Sequence, residues 1–291
     1  MIKQEEYLAR RKKLAQQLSE NSIAIIPAAQ EVTRNGDSHY RFRQDSNFYY
    51  LTGFNEPDAL LVITAEPNSQ SILFNRTRNV AEEQWTGRRL GQEGALATLD
   101  INEAYPIEQL ADKLPSLLMD KTAVFYVFGA NPLVEKQIIH SITQVKAQVR
   151  RGIKAPANLC DLQPLLSEMR LFKSEAEQNL MRQAARISVA AHQRAMKACA
   201  QLTHEHELEA ELLYEFFRQG CRSVAYDSIV GAGENACILH YTANNQRLKE
   251  GDLVLIDAGG EYEYYASDIT RTYDFNKSGQ FAELISELNA Q

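Results

Sequence analysis

The stretch Asp252-Leu-Val-Leu-Ile-Asp257-Ala-Gly-Gly-Glu-Tyr-Glu-Tyr-Tyr-Ala-Ser-Asp268-Ile-Thr-Arg-Thr-Tyr273 decides how this chain is read. Two apolar, β-prone runs flank Gly259-Gly260, the pattern of an antiparallel hairpin. Alternate residues of a strand point to opposite faces. Leu253, Leu255 and Asp257 therefore share one face, as do Tyr264, Ala266, Asp268 and Thr270. A four-residue loop over Glu261 to Tyr264 sets Asp257 directly across from Asp268. Opposed Cβ atoms lie roughly 4.5–5.5 Å apart, and like charges so placed repel. Such a pair calls for a cation, and two divalent metals about 3.5–4 Å apart, bridged by one carboxylate and chelated by the other, would supply it. The plain alternative is a turn-forming or solvated aspartate. A bulge at the double glycine would shift the register and separate the carboxylates.

Working outward, 291 residues suffice for two domains, each with its own core. A content of 44% hydrophobic and 24% charged residues belongs to an ordinary globular protein rather than a disordered one. With a net charge of −7, the one basic run is Arg10-Arg11-Lys12-Lys13. It lies in an amphipathic helix pattern and reads as a solvated face, so charge gives no case for nucleic acid or an anionic membrane. No apolar signal core or bilayer-length run occurs, and Cys160, Cys199, Cys221 and Cys237 are scattered without Cys-x-x-Cys spacing. Reduced core thiols and a cytoplasmic location are expected.

Residues 1–172 alternate strand and helix signals in mixed α/β order, with strands expected at 22–26, 47–52, 59–64, 71–74, 123–128 and 145–149. A polar helix is expected around 81–87 and another from Asn131-Pro132 to about His140. The aromatic run Phe48-Tyr49-Tyr50 should pack a sheet. Near residue 172 the pattern changes to long helices. Ser174-Glu-Ala-Glu177 is a capping box, followed by apolar and small residues at helical spacing to about Ala200. Thr203 caps a second helix that Gly220 ends. A strand over 224–230, a turn at Gly231-Ala-Gly233 and the segment 236–241 lead to the hairpin. The domain boundary therefore falls at 172/173, giving domains 1–172 and 173–291.

His240, in Cys237-Ile-Leu-His-Tyr-Thr, could hold a proton or stabilise a carbonyl under attack, or be a structural histidine. His204-Glu205-His206 resembles a metal motif, but residues two apart on a helix face different ways, so it reads as surface. His39, His140 and His192 read as structural. Trp85, the only tryptophan, sits among polar residues, which suits an interface, a pocket or a core role.

Leu255-Ile-Asp257-Ala-Gly and Ser267-Asp268-Ile-Thr-Arg-Thr resemble the metal-binding hairpin of the aminopeptidase P (Xaa-Pro aminopeptidase) family, creatinase-like "pita-bread" metallopeptidases. Further matches, in order, are Arg43-Gln-Asp-Ser-Asn-Phe, Leu51-Thr-Gly-Phe-Asn-Glu-Pro, Trp85-Thr-Gly-Arg-Arg-Leu-Gly, Met169-Arg-Leu-Phe-Lys-Ser and Val230-Gly-Ala-Gly-Glu-Asn-Ala-Cys-Ile-Leu-His-Tyr-Thr. The resemblance is to the bacterial form with an N-terminal α/β domain. It implies an N-terminal mixed-sheet α/β domain followed by the first half of a pita-bread (creatinase/methionine-aminopeptidase-like) domain.

The implied activity is release of the N-terminal residue from peptides with proline second, by a hydroxide bound to two divalent metals, manganese in this family. The resemblance also gives roles to residues: Asp257 chelates one metal, Asp268 bridges both, and His240 assists near the scissile carbonyl. Trp85 completes a neighbouring subunit's substrate pocket in a homo-oligomer, and Thr270 supports the ligands on geometry. The family's remaining ligands, one histidine and two glutamates, should follow the hairpin. The chain ends at Gln291 with Gly279 to Gln291 reading as the start of a helix, so it is expected to be truncated before them, and an inactive chain is one of the readings. Two further readings are a non-catalytic creatinase-fold relative that binds peptides or a partner, and a different reaction on the same scaffold, such as a prolidase-like dipeptidase or an amidinohydrolase.

Overall fold

A computed structural model describes residues 2–274. The expected helix start at Gly279 to Gln291 lies outside the described residues. The chain divides into two compact units, Ile2–Phe172 and the residues from Lys173 onward.

The first unit runs α1 (Gln4–Gln17), β1 (Ile23–Pro27), β2 (Thr33–Asn35), β3 (Ser38–His39), α2 (Ser46–Thr52), β4 (Leu60–Thr64) and β5 (Ser71–Asn75). It continues with α3 (Val80–Thr86), α4 (Gly91–Thr98), β6 (Glu103–Pro106), α5 (Leu110–Leu118), β7 (Ala123–Tyr126), α6 (Pro132–Lys146), β8 (Asn158–Asp161) and α7 (Gln163–Leu171). Six strands form one mixed sheet in the order β6-β5-β4-β1-β7-β8. Helices cover both faces, so the four inner strands β5, β4, β1 and β7 are buried along nearly their whole length instead of alternating, while the edge strands β6 and β8 are not. Ala24, Ile26, Leu61 and Ile63 join Leu14, Phe48 and Leu166 on one side, while Ile23, Ile25, Leu60 and Val62 join Leu114, Ile138 and Ile142 on the other.

Three local expectations are corrected. Residues 47–52 are helix α2, not strand, because Asp45 accepts the amide hydrogens of Asn47 and Phe48 at its start and Gly53 ends it at φ +64°. Phe48-Tyr49-Tyr50 thus reaches the core from a helix. Residues 145–149 carry the end of α6 and a short 3-10 turn, and the sheet's last strand is β8 instead. In the basic run, Lys12 and Lys13 are solvated, but Arg10 and Arg11 are buried.

The second unit opens with α8 (Glu175–Ala198) and α9 (Glu205–Arg218). The expected capping box is present: Ser174 Oγ accepts the Glu177 amide at 3.2 Å and the Glu177 carboxylate accepts that of Ser174 at 2.8 Å. At α9 the capping residue is His204 rather than Thr203, and the Glu207 carboxylate accepts both residues' amide hydrogens. Then come β9 (Ser223–Val224), β10 (Ile229–Ala232), β11 (Leu253–Ala258), β12 (Gly260–Tyr262), β13 (Tyr265–Ala266) and β14 (Ile269–Asp274). They form two antiparallel sheets, β10-β11-β14 and β13-β12-β9. The single strand expected over 224–230 is split by a bend at Ala225-Tyr226. Val254, Ile256 and Ala258 of β11 pack with Ile187, Ala191, Leu208, Leu212 and Phe216 of the two helices. The alternate residues Leu253, Leu255 and Asp257 lie on the opposite, half-buried face.

Candidate metal centre

The aspartates sit on a ribbon whose register differs from the expected one. The turn is Glu263-Tyr264 alone, with both residues at positive φ (50° and 70°), as a two-residue hairpin of the I′ kind requires. Asp257 therefore pairs with Thr270, not with Asp268, and Ala258 pairs with Ile269. The displacement is two residues, an even number, so Asp257, Asp268 and Thr270 still share a face and the carboxylates are diagonal neighbours. The double glycine is not the turn. It is where the ribbon passes from one sheet to the other: β11 ends at Ala258, and β12 begins at Gly260. A Cβ on Gly259 would stand 1.7 Å from the Ser267 carbonyl oxygen, so only glycine permits this crossing.

Helix α8 pins the crossing from beneath. Ser188 Oγ accepts the Gly260 amide hydrogen at 2.9 Å and lies 2.6 Å from Ser267 Oγ. One turn along, the buried His192 bonds the Ala258 carbonyl through Nε2 at 3.1 Å. Burial holds the His192 pKa below its ordinary value, which suits a neutral ring used as a tether. His192 and Ser188 thus hold the chain between the two aspartates, at Ala258 just after Asp257, at Gly260, and at Ser267 just before Asp268.

Tyr226, in the bend between β9 and β10, was missed by sequence reasoning. Its hydroxyl bonds Asp257 Oδ1 and also lies 2.9 Å from Asp268 Oδ1. A phenol has one hydrogen, so a single proton serves two carboxylates. Burial, reinforced by these two bonds, holds the Tyr226 pKa far above that of a free phenol. The only sequence signal for it is an aromatic in a polar stretch shortly before Ile229-Val230-Gly231.

Asp257 is half-buried, whereas Asp268 and Thr270 are exposed. Their hard carboxylate oxygens, facing one side and drawn together at one hydroxyl, fit two arms of a divalent-cation site. Among the described residues no group of three or more His, Cys, Asp or Glu comes together. His240 is exposed in the turn that follows the 3-10 segment Gly233–Cys237. Gly231 permits that segment to fold back, since a Cβ there would meet the Asn235 carbonyl at 2.8 Å. His39 and His140 are exposed, and of His204-Glu205-His206, read as surface, Glu205 is fully buried. Trp85 belongs to the first unit, where it is 90% exposed on α3, a helix that buries none of its residues.

Residues 7–126 match the aminopeptidase P N-terminal domain, and residues 179–289 match metallopeptidase family M24. The chain is 42% identical over 289 residues to the Xaa-Pro aminopeptidase of Escherichia coli K12, an alignment that takes in 99% of this chain and 65% of that protein. The chain belongs to the aminopeptidase P family. Solved structures of that family superpose well. Proline aminopeptidase P II from Yersinia pestis gives a TM-score of 0.92 at 46% identity, over 94% of this chain and 64% of that one. Aminopeptidase P from E. coli with the inhibitor Pro-Leu gives 0.91 at 44%, over 94% and 63%. The chain thus spans just under two thirds of the length of these aminopeptidase P relatives. No helix among the described residues is long and apolar enough to cross a membrane.

Proposed function

We propose that this chain is, or is part of, a metal-dependent aminopeptidase that removes the N-terminal residue from peptides with proline in second position. The observation that carries the reading is the pair Asp257 and Asp268, on one face of one β-ribbon and joined by a single phenol proton. Its support is the match of both units to the aminopeptidase P and M24 models. Asp257 and Asp268 would hold the divalent ions, with manganese the proposed metal. When bound, such ions acidify water and polarise a carbonyl, so no protein nucleophile is required.

The chain's own residues supply position and proton control. Thr270 lies opposite Asp257 and buttresses it. Tyr226 keeps the carboxylates together until cations replace its proton. His240 holds or donates a proton near the scissile carbonyl. Trp85, exposed on a helix that packs nothing of its own, would complete the substrate pocket of a neighbouring copy in a homo-oligomer. The proposed location is cytoplasmic. The lack of a third ligand among the described residues favours a second reading for these 291 residues alone, a peptide-binding relative without turnover.

The test is release of the free N-terminal residue from an Xaa-Pro-Xaa peptide with added Mn²⁺, comparing the parent with Asp268→Asn. Loss of about a thousandfold or more in kcat/KM is expected, since several kcal/mol of metal-borne stabilisation would go. A normal rate for Asp268→Asn contradicts the assignment. A parent that binds the peptide without cleaving it supports the second reading.

A further inference from the structure

Glu205 is a buried carboxylate that pairs with no cation among the described residues. It is 0% exposed, at the first position of α9. Its Oε1 accepts the Ala232 amide hydrogen at 2.9 Å and an Asn235 Nδ2 hydrogen at 3.0 Å. Its Oε2 accepts the Tyr241 hydroxyl at 2.7 Å and the Gln246 amide hydrogen at 2.9 Å. Four donors and the positive end of the α9 dipole replace the water that an ionised carboxylate loses on burial. All four donors come from one segment, Ala232 to Gln246, which contains His240. They lie at its two ends, in its 3-10 segment and on the residue directly after the histidine. Asn244 adds a second brace, with Oδ1 accepting the Val230 amide hydrogen at 3.0 Å and Nδ2 donating to the Ser228 carbonyl at 2.8 Å.

We propose that Glu205 is the positioning residue for His240. Its carboxylate ties the histidine's segment to the helical layer at both ends and at the residue after the histidine. The backbone amides of Glu205 and Leu248 also bond the Gln246 and Thr203 carbonyls at 3.0 and 2.9 Å, so the far end of the segment has a second anchor, whereas the turn around the histidine is exposed, Ile238 at 53% and Leu239 at 88%. The proposal rests on the reading of His240 as a proton-handling residue, but its test needs no turnover.

The chemistry separates the variants. Glutamine has one acceptor oxygen where glutamate has two. If the Glu205→Gln amide nitrogen donates to the Tyr241 hydroxyl, it meets the Gln246 N–H donor against donor. A backbone amide then loses its acceptor, which raises its local exchange rate about ten- to a hundredfold. Aspartate keeps both oxygens on a side chain one methylene shorter.

The experiment is NMR on the 291-residue chain: backbone amide hydrogen exchange, together with the His240 ring signals followed through a pH titration. In Glu205→Gln, faster exchange at Gln246 or Ala232 with displaced or broadened His240 signals is expected, while protection of Ala184 to Ala195 in α8 stays unchanged. Glu205→Asp should restore the ring signals in part. Tyr241→Phe, which removes one of the four bonds, should move them less than Glu205→Gln. His240 signals that match the parent in Glu205→Gln overturn the proposal. So does loss of protection throughout α8, which would make Glu205 a general support of the fold; in that event Tyr241→Phe must also leave the ring signals unmoved. If the chain proves to have no aminopeptidase activity, these outcomes still decide where His240 is held.

Discussion

Arg11 shows what single residues contribute and why some of it escapes sequence reading. Its guanidinium is 1% exposed and donates to the carbonyls of Leu51, Leu99 and Asp100, each at 2.8 Å. Those carbonyls end α2 and α4, so one cation caps two helix C-termini from a third helix. Burial lowers its pKa to about 10, which leaves it charged at neutral pH. Arg11→Met should cost about 2–4 kcal/mol, because three buried carbonyls lose their donor. An unchanged urea midpoint for unfolding of the first unit would contradict this. The run Arg10-Arg11-Lys12-Lys13 reads as surface because the capped carbonyls lie 40 and 88 residues away, a distance no local pattern spans. The cysteines were more legible. All four are free, but the expected core placement holds only for Cys199 and Cys221, since Cys160 is half-buried and Cys237 exposed. Burial pushes both buried thiols up to about 11 from an ordinary 9. The unfolded chain therefore loses these protons first, and stability present below pH 9 falls between about pH 9 and 11, by up to about 1.4 kcal/mol per pH unit for each thiol. Replacing both by alanine should flatten that alkaline limb. At pH 8 a thiol reagent should label Cys237 at once and Cys199 and Cys221 only on unfolding; rapid labelling of all four would contradict the burial.

At the scale of elements, the hairpin was legible in kind and in facing but not in register. Gly-Gly between apolar runs is a strong turn signal, and here it serves another purpose. The close approach of Ser267 requires glycine at 259, and the turn falls to Glu263-Tyr264, residues with little preference for the left-handed region. Because the resulting displacement is even, the aspartates kept their common face although the pairing changed. Gly259→Ala should cost roughly 3–5 kcal/mol, since the added carbon would occupy the Ser267 carbonyl and force the two sheets apart at the aspartates. A thermal midpoint within a degree of the parent's would show that the crossing is looser than described. The long helices were the most readable elements, since α8 carries both its capping box and a regular apolar stripe. Helix α2 was misread because its caps, Asp45 and Gly53, also look like loop punctuation around a β-prone aromatic run.

For the whole molecule, the order of motifs along the chain was worth more than any one of them. The hairpin aspartates alone admitted an ordinary solvated reading. The same pair after Trp85-Thr-Gly-Arg-Arg-Leu-Gly and Val230-Gly-Ala-Gly-Glu-Asn resembles the aminopeptidase P hairpin, and the match to relatives runs through both units. Tyr226 and Glu205 stayed hidden because their meaning lies in partners 31 and 42 residues away for the tyrosine and 27 to 41 for the glutamate. The most direct test of the account is NMR of the chain during a substoichiometric Mn²⁺ titration. Paramagnetic broadening should begin at the amides around Asp257, Asp268 and Thr270 and should vanish in the double variant Asp257→Asn, Asp268→Asn. Broadening that begins elsewhere, or that persists in the double variant, would contradict the assignment of these two carboxylates to a metal.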